Sequence, residues 1–257
     1  MGNAAENNPM DLEGRRILVT GATSGIGRAT AVMAASLGAD VVLTGRRAGE
    51  LNLTVGQMAR PGAHCALAGD LCDIAFIDEL AEFATDGGRL DGFVHAAGAC
   101  KVAPVGVLSP AALVDSMLVG YEAFMLLMKR FSRKAASNDG FSAVAVSSVS
   151  SSAGWAGGSL YAAGKGALDA AVRALAVELA PRRIRVNSVC PSHVRTPLFE
   201  SLTSGMDEVA LRALLAKQPL GLGEPEQVAS AICFLLGDAA SFITGVSLPV
   251  DGGYLAQ

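Results

Sequence analysis

Tyr161 and Lys165 stand four residues apart in a stretch with helical spacing, so their side chains share one face. An unperturbed phenol, with a pKa of about 10, is a poor proton donor or acceptor near neutrality. A neighbouring ammonium favours the phenolate, so Lys165 is expected to lower the pKa of Tyr161. Such a pair suits a reaction in which a carbonyl becomes an alkoxide and must be given a proton. Ser148 precedes Tyr161 by thirteen positions, at the end of an apolar run, where its hydroxyl can bond a substrate oxygen beside the phenol. Ser147 is its one serious rival in a serine cluster that includes Ser150, Ser151 and Ser152. A Tyr and a Lys at this spacing arise by chance too easily to stand alone, and gain weight only beside a second constellation.

That second constellation lies near the amino terminus. Arg16 to Thr20 reads as a strand, and Gly21, Thr23, Ser24, Gly25, Ile26 and Gly27 follow in a segment that opens a helix. Glycine permits a tight turn and a close backbone approach to a pyrophosphate. The helix amino terminus adds free N–H groups and a partial positive charge. The spacing is G-x-x-x-G-x-G, which differs from the G-x-G-x-x-G of the common dinucleotide fingerprint.

Positioning these groups takes a layered fold. Short apolar runs recur at 16–20, 40–44, 64–68, 92–96, 143–146, 184–189 and 246–250. Helical spacing fills 26–37, 74–85, 113–134, 160–179 and 225–236. Strands alternating with helices require right-handed crossovers and a parallel sheet. The expected fold class is α/β: one doubly wound Rossmann-type domain over residues 1–257, with a parallel sheet of about seven strands and helices on both faces. Residues 1–11 are expected to be flexible. Thr196 to Gly221 breaks the rhythm with Pro197, Gly205, Pro219 and an amphipathic piece from Asp207 to Ala216. At the carboxyl edge of such a sheet it is a candidate substrate lid, or a plain surface helix and loop.

Composition removes several classes of function. The 257 residues are 51% hydrophobic, ample for a large core. Twenty basic and 24 acidic residues give a net charge of −4 without a basic stripe, so no nucleic-acid partner is expected. No apolar run reads as long enough to span a bilayer, and Met1 to Met10 lacks the order of a secretory signal. Gly2 follows the initiator Met, but Glu6 stands where a myristoylation signal wants Ser or Thr. Five cysteines without a C-x-x-C pair, and three histidines away from them, argue against a disulfide framework or a metal site. The expected compartment is the cytoplasm, with no membrane partner.

From about Leu12 to Leu255 the chain resembles the classical short-chain dehydrogenases/reductases, in the manner of a keto-acyl reductase-like member. Thr20 to Gly27 is similar to the family's T-G-x-x-x-G-x-G, and Asp70-Leu71 to its adenine-contacting pair. His95-Ala-Ala97-Gly98 stands where the family usually has N-N-A-G. Tyr161 to Lys165 matches its Y-x-x-x-K, Pro191-Ser192 its P-G, and Thr244 to Gly253 its closing strand. The resemblance implies a catalytic Ser148, Tyr161 and Lys165. It also implies a nicotinamide dinucleotide held by the glycine turn, Asp70, Leu71, Ala97, Gly98, Tyr161, Lys165, Pro191, Val194 and Thr196. Lys165 would hold the nicotinamide ribose, and Thr196 would lie near the carboxamide. Ser150 and Trp155, in the loop before Tyr161, would border the substrate, although a core or interface role suits Trp155 equally. His193 and Arg195 are candidates to meet an anionic substrate, or simply to face solvent. The resemblance further implies a homotetramer or homodimer in which helices 113–134 and 160–179 pair between copies.

The sequence departs from the family in three places. The Asn that anchors a proton-relay water is missing, and its place falls within Met117 to Gly120, most plausibly at Gly120. A water beside Gly120 would fill the gap, or the relay runs by another route; His95 is a substitute proton carrier or a satisfied core histidine. Ser192 replaces a glycine. Finally, the second strand ends in Gly45-Arg46-Arg47 with no carboxylate for ribose hydroxyls, and two guanidiniums favour NADP(H) over NAD(H). The expected activity is hydride transfer between the nicotinamide and a carbonyl or secondary alcohol. Keto-acyl substrates come marginally ahead of keto-sugars and small cyclic ketones. A catalytically impaired NADP-binding sensor or partner protein is the alternative. An epimerase or dehydratase would need a longer carboxyl-terminal domain.

Overall fold

The computed structural model describes residues 8–257. Seven strands are recorded among them: β1 Arg16–Thr20, β2 Asp40–Gly45, β3 Cys65–Ala68, β4 Leu90–His95, β5 Ser137–Val146, β6 Arg185–Pro191 and β7 Ser247–Val250. They form one parallel sheet in the order β3-β2-β1-β4-β5-β6-β7. The helices are α1 Gly25–Ser36, α2 Ala48–Gln57, α3 Ile74–Asp86, α4 Pro110–Met117, α5 Ala123–Phe131, α6 Ser159–Leu179, α7 Pro197–Thr203, α8 Glu208–Leu215 and α9 Pro225–Leu236. This is the doubly wound arrangement expected from the alternating runs.

The inner strands are apolar on both faces because both faces are covered. Leu18, Phe93, Ala143, Ala145 and Val186 face a core built with α3, α5 and α6. Ile17, Val19, Val94, Val144 and Val189 face a second core with α1 and α9. Alanines at 31, 34 and 35 on α1 are fully buried in that second core, where short side chains let α9 pack closely. Strand order reverses between β1 and β4, and the crevice beyond their carboxyl ends is where such sheets take ligands.

Three local expectations change. The spacing did not single out α2, a ten-residue helix whose buried side is only Leu51 and Thr54. Strand β5 begins at Ser137, and an irregularity in its pairing between Leu90 and Gly92 of β4 hid the early part from a period-two reading. The expectation that no apolar run is long enough to cross a bilayer also needs correction. α4, a π-helical turn at Leu118–Glu122 and α5 continue as one 22-residue helix, Pro110–Phe131, long and apolar enough by length and composition, with mean hydropathy 1.6. Part of that apolarity belongs to the core, through Phe124, Leu127, Met128 and Phe131, and part lies outside, at Leu113 and Val114.

Of the segment expected to be flexible, residues 1–7, with Gly2 and Glu6, lie outside the described residues. From residue 8 onward, the Pro9 carbonyl accepts from the Ala239 amide at 3.0 Å, and Leu12 is buried. The candidate lid consists of α7 and α8, neither of which buries a side chain.

Candidate active site

The glycine turn is closed by steric contact. A Cβ on Gly27 would stand 2.2 Å from the Gly21 carbonyl oxygen, and one on Gly25, where φ is +52°, would meet the Thr196 methyl at 2.9 Å. Gly21 lies against the backbone of Ala96 and Ala97, and the Thr23 methyl lies against Gly45 at the end of β2. The turn therefore touches the ends of β2 and β4 and the Thr196 segment at once. Ser24 is the N-cap of α1, yet its side chain makes no capping bond, and no acidic residue occupies the first helical turn. The leading N–H groups remain open to an anion. Ile26 packs on the core beneath.

Other predicted nucleotide contacts sit around that turn. Arg46 and Arg47 follow β2, both exposed, and neither takes part in an ion pair among the described residues. Asp70 is exposed and accepts from the Cys72 amide at 3.0 Å, while the Leu71 side chain is in the core. The Ala97 amide donates to the Thr20 hydroxyl at 3.3 Å, and Gly98 lies against the Lys165 ammonium. Pro191 ends β6 beside Val250, Val194 bridges to Gly223, and Thr196 caps α7 by accepting from the Phe199 amide. These residues fit a dinucleotide: an uncapped helix start, a surface a side chain would fill, and two free guanidiniums at the second strand.

The reacting groups converge where β5 ends against α6. Lys165 is buried, and its Nζ donates to the Val146 carbonyl at 2.6 Å while lying 5.7 Å from the centre of the Tyr161 ring. Burial pushes its pKa down to about 8, opposed chiefly by the buried carboxylate of Asp169, one helical turn further on. The expected depression of the Tyr161 pKa is not found. Loss of hydration around the phenol pushes it up to about 12, partly offset by the Ser148 hydroxyl and reinforced by Cys100. Desolvation outweighs the Ser148 hydrogen bond, and the Lys165 ammonium does not offset it. Ser148 is buried and its Oγ accepts from the Ser150 amide at 3.1 Å. Ser147 points the other way, donating to the Lys165 carbonyl of α6 at 3.4 Å.

The place of the missing Asn is a chamber. Gly120 sits in the π turn with nothing within 4 Å of a would-be Cβ. It lines a cavity of about 40 Å³ together with Ser116, Val119, Tyr161, Lys165 and the Lys101–Asp115 ion pair, whose atoms are 3.1 Å apart. That volume admits a water or two. His95 holds the turn in place: Nε2 donates to the Val119 carbonyl at 2.9 Å, which leaves Nδ1 to accept from Thr20 at 3.0 Å. Burial pushes its pKa down to about 4, so it is a neutral brace and not a proton carrier at neutral pH.

On the substrate side, Trp155 donates to the Ser150 hydroxyl at 3.0 Å and lies over Gly158. Arg195 is paired with Glu224 at 2.9 Å. The segment 192–193 is clasped by Gln218, a buried residue the sequence reading missed. Its Oε1 accepts from the Ser192 hydroxyl at 3.0 Å and the His193 amide at 2.8 Å, and its Nε2 donates to the His193 and Gly221 carbonyls at 3.1 and 2.9 Å. The hydroxyl that replaces the family's glycine at 192 thus has a partner. Asp169 was missed too: its carboxylate accepts from Ser188 at 2.7 Å. A lone acid at the fourth position after Lys165 was the available signal.

A phosphate-ready helix start, a buried Lys beneath a Tyr and a neighbouring Ser define an oxidoreductase of the Rossmann class that works with a nicotinamide dinucleotide. The comparisons narrow this. The family model described as enoyl-(acyl carrier protein) reductase matches residues 21–255. The chain is 36% identical over 248 residues to an L-xylulose reductase of Bos taurus, covering 95% of this chain and 98% of that protein. It is 37% identical over 247 residues to a cis-4-hydroxycyclohexanecarboxylate dehydrogenase of Sinomonas cyclohexanicum, covering 94% and 97%. A crystal structure from Agrobacterium tumefaciens, provisionally assigned as a 2-deoxy-D-gluconate 3-dehydrogenase with bound NADP, superposes with a TM-score of 0.87 at 33% identity, covering 97% and 100%. The chain belongs to the classical short-chain dehydrogenase/reductase family, and is an NAD(P)-dependent enzyme acting on CH–OH and C=O groups.

Proposed function

We propose that the enzyme is an NADP(H)-dependent reductase of a small polar ketone, reversible on the secondary alcohol, with Ser148, Tyr161 and Lys165 as catalytic residues. The observation that carries this reading is the buried Lys165 ammonium, set beneath the Tyr161 ring and beside Gly98. A binding role could use Lys165 alone but needs no acid-base phenol and hydroxyl beside it, whereas proton transfer to a substrate oxygen needs all three together. This favours an active enzyme over an impaired sensor.

The dinucleotide supplies or accepts the hydride when bound. Gly21, Thr23, Ser24, Gly25, Ile26 and Gly27 suit its pyrophosphate, Asp70 and Leu71 its adenine, and Ala97, Gly98, Tyr161 and Lys165 its nicotinamide ribose. Pro191, Val194 and Thr196 suit the nicotinamide itself. Arg46 and Arg47 suit a 2′-phosphate, and the NADP in the Agrobacterium relative supports that choice. In reduction, Tyr161 donates its proton to the substrate oxygen, which as a forming alkoxide is a stronger base than the phenolate left behind. The Ser148 hydroxyl, its acceptor side engaged by Ser150, directs its own hydrogen at the same oxygen. The Gly120 chamber gives the phenolate a path through water toward Lys101 and Asp115 without an Asn.

Ser150, Trp155 and the lid 196–221 bound the substrate side. The substrates named for the relatives support a sugar-like or cyclic ketone ahead of a keto-acyl chain. Exposed Leu113, Val114 and Val177 on α4 and α6 support pairing of these helices in a homotetramer or homodimer, and five free cysteines support a reducing, cytoplasmic setting. The test is steady-state kinetics with NADPH and NADH on a carbonyl panel. Tyr161→Phe is expected to lose about 10³-fold in kcat. The double change Arg46→Ala, Arg47→Ala is expected to raise KM for NADPH about tenfold or more, with KM for NADH little altered. Full activity in Tyr161→Phe, or a native preference for NADH, overturns the corresponding part.

A further inference from the structure

Asp169 is a buried carboxylate with no part in the mechanism above. It follows Lys165 by four positions on α6, so the two side chains share the buried face of that helix. Its Oδ1 accepts from the Ser188 hydroxyl at 2.7 Å, and its Oδ2 accepts from the Cys190 thiol at 3.8 Å. Because the one Ser188 proton points at Asp169, the Ser247 hydroxyl, 3.1 Å away, donates to Ser188 in turn. β6 and β7 thus aim a chain of donors at the carboxylate, as an ionised, acceptor-only group requires.

A buried anion needs a cation within reach. Asp169 makes no direct ion pair among the described residues. Arg173, the next cation along α6, is exposed. Arg185 is buried, but it starts β6 and is spent on the Leu235 and Gly237 carbonyls. The buried Lys165 ammonium is what remains. The reverse count gives the same pair. Tyr161 on α6, Cys190 at the end of β6, His95 at the end of β4 and Cys100 beyond it are the other titratable groups facing Lys165. Burial keeps each of them uncharged near neutrality: Tyr161 is pushed up to about 12, Cys190 to about 11, Cys100 is raised, and His95 is pushed down to about 4. Asp115 also lines the chamber beside Lys165, but its charge is met by Lys101 at 3.1 Å. Asp169 is therefore the one anion of this group without a cation of its own.

We propose that Asp169 is a positioning residue for the reaction: the buried counter-ion, one helical turn from Lys165, that keeps the reacting lysine an ammonium. This rests on the reductase reading above and adds the group that sets the charge of its lysine. When Tyr161 gives up its proton, the phenolate left behind faces that cation. While Tyr161 is neutral, the cation is balanced from behind by Asp169.

The test reads Lys165 directly. Carbon-13 labelling of lysine reports Lys101, Lys129, Lys134, Lys165 and Lys217, and Lys165→Arg assigns the resonance in question. In protein without nucleotide, the Lys165 ε-carbon is expected to titrate near 8 in the wild type, and in Asp169→Asn at least about one pH unit lower. Asp169→Ser, smaller and still able to bond Ser188, gives the same reading should the amide not fold. Asp169→Glu is expected to return the titration to within about 0.5 pH unit of wild type, and Ser188→Ala, which removes a hydrogen bond but no charge, to leave it within about 0.3. In ketone reduction with saturating NADPH, kcat/KM of Asp169→Asn is expected to fall about fivefold or more at pH 8 and about twofold at most at pH 6. A Lys165 titration that stays put in both neutral variants, or that moves as far in Ser188→Ala, overturns the pairing. So does a loss of activity by the same factor at every pH. Failure of every ketone to oxidise NADPH counts against the reductase reading instead, and the lysine titration still decides the pairing.

Discussion

Between Gly21 and Gly27 backbone meets backbone too closely to admit a methyl group, whereas between Pro197 and Leu215 neither lid helix buries a side chain. The two meet where the Thr196 methyl lies against Gly25. The first is fixed by contacts within the glycine turn and between it and the ends of β2 and β4. The second is held at its base by the Gln218 clasp and the Arg195–Glu224 pair, and its apolar groups Leu198, Leu202 and Val209 are exposed. A common cofactor favours a rigid cradle, and a variable substrate favours a wall that can be rebuilt without disturbing it.

The largest contrast comes from adding one methyl group to each region. Gly27→Ala places a Cβ 2.2 Å from a backbone oxygen that cannot step aside. It is expected to cost about 3 kcal/mol or more, a fall in Tm of about 6 to 12 °C, and to abolish measurable NADPH binding. Gly205→Ala, between the lid helices, meets nothing within 4 Å and is expected to stay within about 0.5 kcal/mol of wild type. Paired thermal melts and nucleotide titrations check both, and similar losses in the two variants would erase the distinction.

A second break in the rigid half uses pH. His95 ties Thr20 of β1 to Val119 of the π turn, and its pKa falls from 6.5 to about 4 on burial. Between those values the unfolded chain binds a proton that the native protein refuses, so stability falls as pH drops from 6.5 to 4 and is level above. The full difference is about 3 kcal/mol at 1.36 kcal/mol per pKa unit. His95→Asn is expected to remove that acid-side slope while leaving the remaining carboxylate contributions. Urea unfolding at pH 7 and pH 4 measures it, and an unchanged slope in the variant would show that His95 is not the group responsible.

These two regions also explain what was legible in the sequence. The strands and most helices could be read because apolar runs buried on both faces leave an unbroken signal, and the glycine turn because close backbone approach demands glycine. Tyr161 and Lys165 were readable from their four-residue spacing. The state of that pair was not, since spacing reports neither the Val146 carbonyl that engages Lys165 nor the desolvation that raises Tyr161. α2 escaped because only Leu51 and Thr54 are buried, too few to make a period. Gln218 escaped for a different reason: its partners lie 25 and 26 positions away at His193 and Ser192, and nothing local distinguishes it from a surface glutamine.

Gln218 supplies the smallest and most selective test. Gln218→Ala strands the Ser192 hydroxyl, the His193 amide and carbonyl and the Gly221 carbonyl, although the Gly223 amide still reaches His193 O at 3.1 Å. Partly relieved by water, the loss is expected to be about 1 to 2 kcal/mol. Because the clasp touches the lid's base and not the glycine turn, KM for the ketone should rise about tenfold while Kd for NADPH moves less than twofold. Ser192→Gly restores the family's usual residue and removes only one of the four bonds, so it should give a smaller shift in the same direction. Fluorescence titration of NADPH beside ketone kinetics separates the two quantities. A Gln218→Ala variant that loses nucleotide affinity as heavily as ketone affinity would mean that cradle and lid are one mechanical unit, and that the division between a fixed and a rebuildable wall is wrong.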